Sequence, residues 1–157
     1  MRTEAAQLMA IVEEAREHLL ACQAEATANR DMIDYFLFGV ERLETLARRV
    51  TGSLDAVDLY EQACDSAADA AKPLVDRAAS LLEDISNRHK EIESDMRSLW
   101  LRENRPYAIE TWTSVCRRKF VEKYARLAEA LRRIGTPLPA PRDAGLFVEC
   151  AKSPPLP

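Results

Sequence analysis

Residues 98–107 read Ser-Leu-Trp-Leu-Arg-Glu-Asn-Arg-Pro-Tyr, and the predicted fold is organised around this stretch. Leu99 and Trp100 complete an apolar helical stripe. Asn104 is a residue type that tolerates the left-handed conformation in which many helices end. Pro106 suits the first turn of a following helix, and a proline disfavours helical backbone in the residue before it. We therefore predict a helix end, a sharp corner and a helix start.

Aromatic side chains flank this corner on both sides. Trp100 precedes it, and Tyr107 and Trp112 follow it, while Arg105 belongs to the corner itself. Rings clustered at a joint could stack on a sugar or a base, but they serve more often as a hydrophobic anchor or a docking surface. The candidate corner or docking residues are Trp100, Asn104, Arg105, Pro106, Tyr107 and Trp112.

Apolar side chains recur at intervals of three and four residues along most of the chain, which is the period of an amphipathic helix. The predicted helices run from Thr3 to Glu25, from Asn29 to Val50, over 53–71, from Leu74 to Glu103 and from Tyr107 to Ile134. Gly52 and Pro73 separate the middle segments, because glycine often ends a helix and proline disrupts a helix interior. Alternating strand patterns are absent from the sequence, so we predict an all-α fold, an antiparallel bundle of four to five helices.

Two of these helices carry stripes that predict how they pack. The second helix is the most apolar and is expected innermost, with a stripe of Met32, Phe36, Val40, Leu43, Ala47 and Val50. The stripe of the longest helix alternates steps of four and three residues through Ala78, Leu82, Ile85, His89, Ile92, Met96 and Leu99. This spacing is typical of a coiled-coil-like seam. We expect His89 to be a boundary residue with a satisfied hydrogen bond rather than a ligand.

The chain of 157 residues has the length of one domain followed by a tail. Six of its eight prolines lie at or beyond position 137. We predict a helical bundle domain over 1–135 and a Pro-rich, extended or flexible tail over 136–157, with 145–150 as the apolar patch of that tail.

The sequence holds no recognisable catalytic constellation. His18 and His89 have no glutamate three residues before them, which excludes the Glu-x-x-His pattern of di-metal bundles. No glycine-rich phosphate loop is present. The four cysteines stand far apart without a paired motif, at Cys22, Cys64, Cys116 and Cys150. We therefore expect no catalytic residue, no cofactor and no metal ion.

The charge distribution is uneven along the chain. The net charge is −4, but residues 105–135 carry eight basic and three acidic side chains. A nucleic-acid surface would use such a stretch, yet a solvated helix face beside an acidic neighbour is the more common reason for it. The longest apolar runs are too short to span a bilayer, and the N-terminus lacks signal-peptide character. We expect a cytoplasmic protein that does not bind membranes, and nucleic acid is the less favoured partner.

Residues 99–107, Leu-Trp-Leu-Arg-Glu-Asn-Arg-Pro-Tyr, precede a long amphipathic helix. They resemble the closing region of the helical C-terminal domain of some family 20 β-N-acetylhexosaminidase-like glycoside hydrolases, which has an aromatic-rich W-x-x-x-N-R/K-P corner. The order and length of the helices over 3–134 are compatible with that domain. Residues 108–112 depart from the glycine-containing form of the corner, and the catalytic barrel of that family is absent from this chain, so no catalytic residue is transferred.

Two main classes of function remain open at this point, and a nucleic-acid binder that uses the basic last helix is a third, less favoured interpretation. The resemblance implies a non-catalytic accessory domain that packs on a glycoside hydrolase barrel. The alternative, from the helical pattern, is a free-standing interaction protein that self-associates through the 78–99 seam or binds a partner helix. The expected partners are accordingly a glycosidase catalytic domain or a second copy of the chain.

Overall fold

The computed structural model describes residues 1–104, 106, 108–135 and 137–141. Its helices are α1 (Arg2–Glu25), α2 (Arg30–Cys64), α3 (Ala68–Glu103), α4 (Ile109–Cys116) and α5 (Lys123–Arg133), with a π-helical segment, Arg117–Glu122, between the last two. The segments from α4 to α5 follow one another without a break and are together termed the last helix. The prediction of an all-α fold is confirmed, with four helical rods and no strand among the described residues.

Successive helices run antiparallel and pack on their neighbours in sequence. Tyr35 Oη of α2 donates a hydrogen bond to the Leu99 carbonyl of α3 at 3.3 Å. Ser86 Oγ of α3 donates one at 2.9 Å to the Val121 carbonyl, within the π-helical segment. α1 packs on α2 alone among the described helices. The result is a core of three helices, α2, α3 and the last helix, with α1 added to one side of α2.

Small side chains dominate the centre of the core. Alanines from α2, α3 and α5 surround Tyr60, which is completely buried, and Leu131. Short side chains let helix backbones approach closely, so these alanines serve packing as well as helix propensity. The Tyr60 hydroxyl reaches beyond the helices and donates a hydrogen bond to the Pro139 carbonyl at 2.9 Å. The partly buried Leu138 packs against the same cluster.

The helix break predicted at Gly52 is wrong, because α2 continues from Arg30 to Cys64. A glycine within a helix costs about 1 kcal/mol relative to alanine, and packing on both α1 and α3 outweighs this cost here. The glycine also has a local role. A Cβ at position 52 would lie 3.2 Å from Cδ1 of Ile85, so glycine permits close packing of α3.

The predicted start of the longest helix at Leu74 is also wrong. α3 begins at Ala68, and Pro73 lies inside it. Proline removes the N–H that would bond to the carbonyl four residues earlier, but near the start of a helix it interrupts few such bonds. The predicted 53–71 segment is therefore divided between α2 and α3, because the chain reverses at 65–67.

The predicted seam of α3 lies inside the chain rather than on its surface. Ala78, Leu82, Ile85 and Ile92 are buried, and three of them belong to the cluster formed with α2 and α5. The chain's own helices therefore cover most of the stripe on which self-association through this seam would depend. Residues 142–157, with the predicted apolar patch of the tail, lie outside the described residues.

Candidate interaction surface

The corner differs in its backbone from the prediction. Asn104 is extended, with φ −119° and ψ 156°, instead of left-handed. The left-handed residue is Ala108, with φ 70°, directly before α4. Pro106 is exposed and lies before α4 rather than in its first turn, because the helix begins at Ile109. Arg105 and Tyr107 lie outside the described residues.

The two tryptophans are on different helices and are both partly buried. Trp100 lies near the end of α3, whereas Trp112 of α4 contacts α2. The Arg42 guanidinium carbon lies 5.8 Å from the centre of the Trp112 ring, a cation–π distance. Seven residues further along α2, the Arg49 guanidinium carbon lies 4.4 Å from the centre of the Phe120 ring. Trp112 therefore helps to join the last helix to α2 in addition to its place near the corner.

The main uncovered apolar surface lies on α2. Met32, Phe36, Leu43 and Leu46 have exposed fractions of 52%, 59%, 45% and 37%. Steps of four, three, four and three residues relate positions 32, 36, 39, 43 and 46, so they lie on one side of the helix. A Cβ at Gly39 would meet no atom within 4 Å, which shows the same open side. These four exposed side chains, with Gly39, are termed the α2 face.

The predicted stripe of α2 is therefore only partly correct. Val40 and Ala47 are buried as expected, but Met32, Phe36 and Leu43 are not. α2 carries more apolar side chains than its contacts within the chain can cover. One set packs on α1 and α3, and the other forms the α2 face. The sequence signal for the second set was present in its alternating spacing, but periodicity alone does not show which of two stripes is covered.

α1 and the last helix border the α2 face on opposite sides. On α1, Arg16 and Leu20 line a groove toward α3, so the 62% exposed Ile11 lies on the other side, next to the α2 face. On the last helix, Glu110 pairs with Arg97 of α3, while Val115 is exposed on the side away from α3. Ile11 and Val115 thus extend the apolar surface beyond α2.

The two borders carry opposite charge. α1 has five acidic and two basic side chains, whereas the last helix has seven basic and three acidic ones. Part of the basic charge is used against α3, where Arg117 pairs with Glu93 and Arg132 with Glu83. Arg118 and Lys119, next to Val115, are exposed and form no ion pair with any described residue. An apolar strip between an acidic and a basic border is therefore the main surface feature.

His89 occupies an unusual place in the core. Its ring stacks on Phe120 with centroids 4.6 Å apart, and Nε2 has no hydrogen-bond partner among the described residues. Burial, with smaller effects from Arg49 and Arg88, lowers the pKa of His89 to about 4. The prediction of a satisfied hydrogen bond is therefore wrong for the Nε2 atom of His89. The imidazole is neutral at pH 7 and packs as an aromatic ring.

The buried carboxylates are engaged by arginines. Glu44 accepts a 2.7 Å hydrogen bond from Arg48 and also pairs with Arg16. Burial raises the pKa of Glu44, but the hydrogen bonds from the two arginines outweigh it and hold this pKa below its ordinary value. Glu93 is paired with Arg117. Within the described residues, no group of three or more His, Cys, Asp or Glu side chains is placed to hold a metal ion.

An open groove of about 440 Å³ lies between α1, α2 and α3. Its polar lining consists of Arg16, Asp34, Glu41 and Asp95. Burial, and then the nearby Glu41, raise the pKa of Asp95. Asp34 pairs with Arg102 and Glu41 with Arg88, so these carboxylates join helices. The groove is shallow and its charges are mostly used in packing, which makes it a weaker candidate than the α2 face.

The comparisons with known proteins do not place the chain in a family. No family model matches its sequence, no curated protein matches it, and no solved structure matches its fold. Among the described residues, no helix combines the length and apolar character that crossing a membrane requires.

Proposed function

We propose that the protein is a helical-bundle interaction module that binds an α-helix along the α2 face. The observation that carries this proposal is the alternation of four and three residues through Met32, Phe36, Gly39, Leu43 and Leu46, all on an open side of the helix. Repeats of this kind receive side chains of a facing helix between their own, as in a coiled coil. The spacing of four and three residues matches the side chains of a facing helix, but it does not match those of an extended strand or the shape of a small molecule.

Covering the α2 face would release a substantial free energy of apolar burial. Complete burial of a large apolar side chain is worth about 1.5–3 kcal/mol. Because the four exposed side chains are already partly covered, about 1 kcal/mol each remains available to a partner. Contiguous apolar patches on soluble domains commonly mark interaction sites. The bordering charges would then select and orient the partner.

An accessory role on a glycoside hydrolase barrel remains a prediction from the sequence resemblance. The α2 face offers such a barrel an apolar contact, but its helical spacing favours a helix as the partner. We propose that the protein is located in the cytoplasm. The thiols of Cys22, Cys64 and Cys116 are free, which is consistent with a reducing compartment. The buried carboxylates of Glu44 and Glu93 support the fold through their arginine partners, and we assign them no catalytic role.

The test compares two leucines with the same exposed fraction, 45%, on different sides of the molecule. Leu43→Glu places a charge within the α2 face, and Leu101→Glu places one outside it. The probe is a labelled three-heptad peptide with leucine at its seam positions, held at a concentration where it is monomeric. Fluorescence anisotropy should rise and saturate with the wild type and Leu101→Glu but not with Leu43→Glu.

A self-association that Leu43→Glu removes and Leu101→Glu retains would support the proposal equally, because the face would then be occupied by its own partner. Absence of both peptide binding and self-association at protein concentrations up to about 200 μM would contradict the proposed function. Both substitutions are at exposed positions, so the folded state should persist in each. Circular dichroism and urea melts check this condition.

A further inference from the structure

Resting on the proposed function, we infer that the α2 face is occupied by a second copy of this chain, with the two α2 helices parallel and related by a two-fold axis. The self-complementary charges that border the face support this arrangement, and so do the positions of Ile11 and Val115 relative to the α2 axis. These are observations independent of the heptad spacing itself.

The ion pairs and ring contacts fix how the neighbouring helices are aligned with α2. Arg2 pairs with Asp55 and Arg16 with Glu44, so α1 runs antiparallel to α2. Measured along the α2 axis, Ile11 therefore lies at the level of about residue 48 of α2. Arg42 lies over Trp112 and Arg49 over Phe120, so the last helix runs parallel to α2. Val115 therefore lies near the level of residue 45. Ile11 and Val115 differ in level by less than one helical turn.

A two-fold axis parallel to α2 places α1 of one copy opposite the last helix of the other. Ile11 of each copy then approaches Val115 of its partner, because the two residues are at nearly the same level. The apolar surface that each chain leaves open is covered from both sides by this single operation. A closed, isologous dimer results, in which the acidic α1 of each copy contacts the basic last helix of the other copy.

Charge selects this orientation over the antiparallel one. In the parallel dimer, Glu14, one turn after Ile11, lies within reach of Arg118, one turn after Val115 in the partner. Glu14 is held only loosely within its own chain, at 3.8 Å from the exposed His18. In an antiparallel dimer the acidic α1 helices would face each other, and so would the basic segments at Arg118 and Lys119. Like charges placed in this way oppose association.

The first experiment measures mass. Sedimentation equilibrium of the full chain, between about 1 and 200 μM, should give twice the monomer mass of 17.7 kDa. Leu43→Glu should remain monomeric throughout, and the matched control Leu101→Glu should dimerise as the wild type does. A monomeric wild type at every concentration would overturn the inference.

The second experiment measures orientation. In a parallel two-fold dimer each position on the side of α2 that carries the α2 face meets itself. Val50, four residues after Leu46, continues that side. Phe36→Cys and Val50→Cys should therefore each form a disulfide between copies on mild oxidation. The background replaces the four native cysteines with alanine, and Leu101→Cys is the control that should not cross-link. In an antiparallel dimer at most one of the two positions can meet itself. A dimer in which only one cross-links would overturn the parallel arrangement.

The third experiment tests the charged border. Glu14→Lys should weaken dimerisation about fivefold, and Arg118→Glu should do the same. The double variant should recover most of the wild-type dissociation constant, because the pair is restored with its charges exchanged. Additive losses would contradict the contact. Dimer failure combined with retained peptide binding would reject the second copy while leaving the proposed function intact.

Discussion

The imidazole of His89 stacks on the phenyl ring of Phe120 at 4.6 Å between centroids, with an interplanar angle of 14°. The contact joins α3 to the π-helical segment of the last helix. One turn before His89, Ser86 donates a hydrogen bond to the Val121 carbonyl of the same segment. π-Helical turns shift side chains relative to α-helical spacing, and here the shifted segment meets both a ring and a hydroxyl of α3.

The first prediction concerns acid sensitivity through His89. The pKa of His89 is about 4 in the folded chain, below its ordinary value of 6.5, so the unfolded chain binds a proton first as the pH falls. The free energy of unfolding should therefore decrease between about pH 6.5 and 4, by about 2 kcal/mol between pH 7.5 and 5. Urea melts at those two pH values measure it.

The control for this prediction is His89→Phe, which keeps an aromatic ring against Phe120 and removes the titrating group. Its loss of stability between pH 7.5 and 5 should be smaller than that of the wild type by most of the predicted difference. Equal losses in the two proteins would show that His89 does not govern this part of the acid sensitivity.

The second prediction contrasts the two glycines of α2. Gly39→Ala should stabilise the fold by about 0.5–1 kcal/mol, because the position is helical and open. Gly52→Leu should destabilise it by about 1–3 kcal/mol, because a side chain there meets Ile85. Thermal melts of both variants provide the measurement. The same sign of effect at both positions would contradict the packing described for α3.

The third prediction concerns the segment that follows α5. A chain ending at residue 135 should be less stable than a chain ending at residue 141, because it lacks the carbonyl that Tyr60 bonds and the side chain of Leu138. We expect a loss of about 1–2 kcal/mol, or about 3–6 °C in Tm. Tyr60→Phe in the full chain should reproduce about 1 kcal/mol of it. Identical melting of the two truncated chains would show that 136–141 do not support the core.

The fourth prediction concerns Glu44. Because arginine hydrogen bonds hold its pKa below the ordinary value, Glu44 adds stability above that value, and the contribution is lost as the pH falls through the folded-state pKa. Glu44→Gln should cost about 1–2 kcal/mol at pH 7. The exposed Glu17→Gln is the matched control and should change stability by less than about 0.5 kcal/mol. Urea melts at pH 7 would contradict the role of Glu44 if the two variants were equally stable.

The amino-acid pattern was enough to predict an all-α chain and the positions of most helices. Helical periodicity is local, so the first helix is predicted within one residue of its observed start, and the stripe of α3 is identified correctly. Local rules failed at Gly52 and Pro73, where packing between helices holds a continuous helix despite unfavourable residues. They failed again at Asn104, whose predicted left-handed conformation is found at Ala108 instead.

Which apolar stripe the chain covers depends on how its helices are arranged in space. The apolar stripe of α3 and the α2 face are equally regular in their spacing. The stripe of α3 is enclosed by α2 and the last helix, whereas the α2 face is left open. The physical reason is that, among the described helices, α1 packs only on α2 and the last helix mainly on α3, so neither closes over Phe36 and Leu43. A sequence pattern records that a face is apolar, whereas the arrangement of helices determines whether the chain buries it itself.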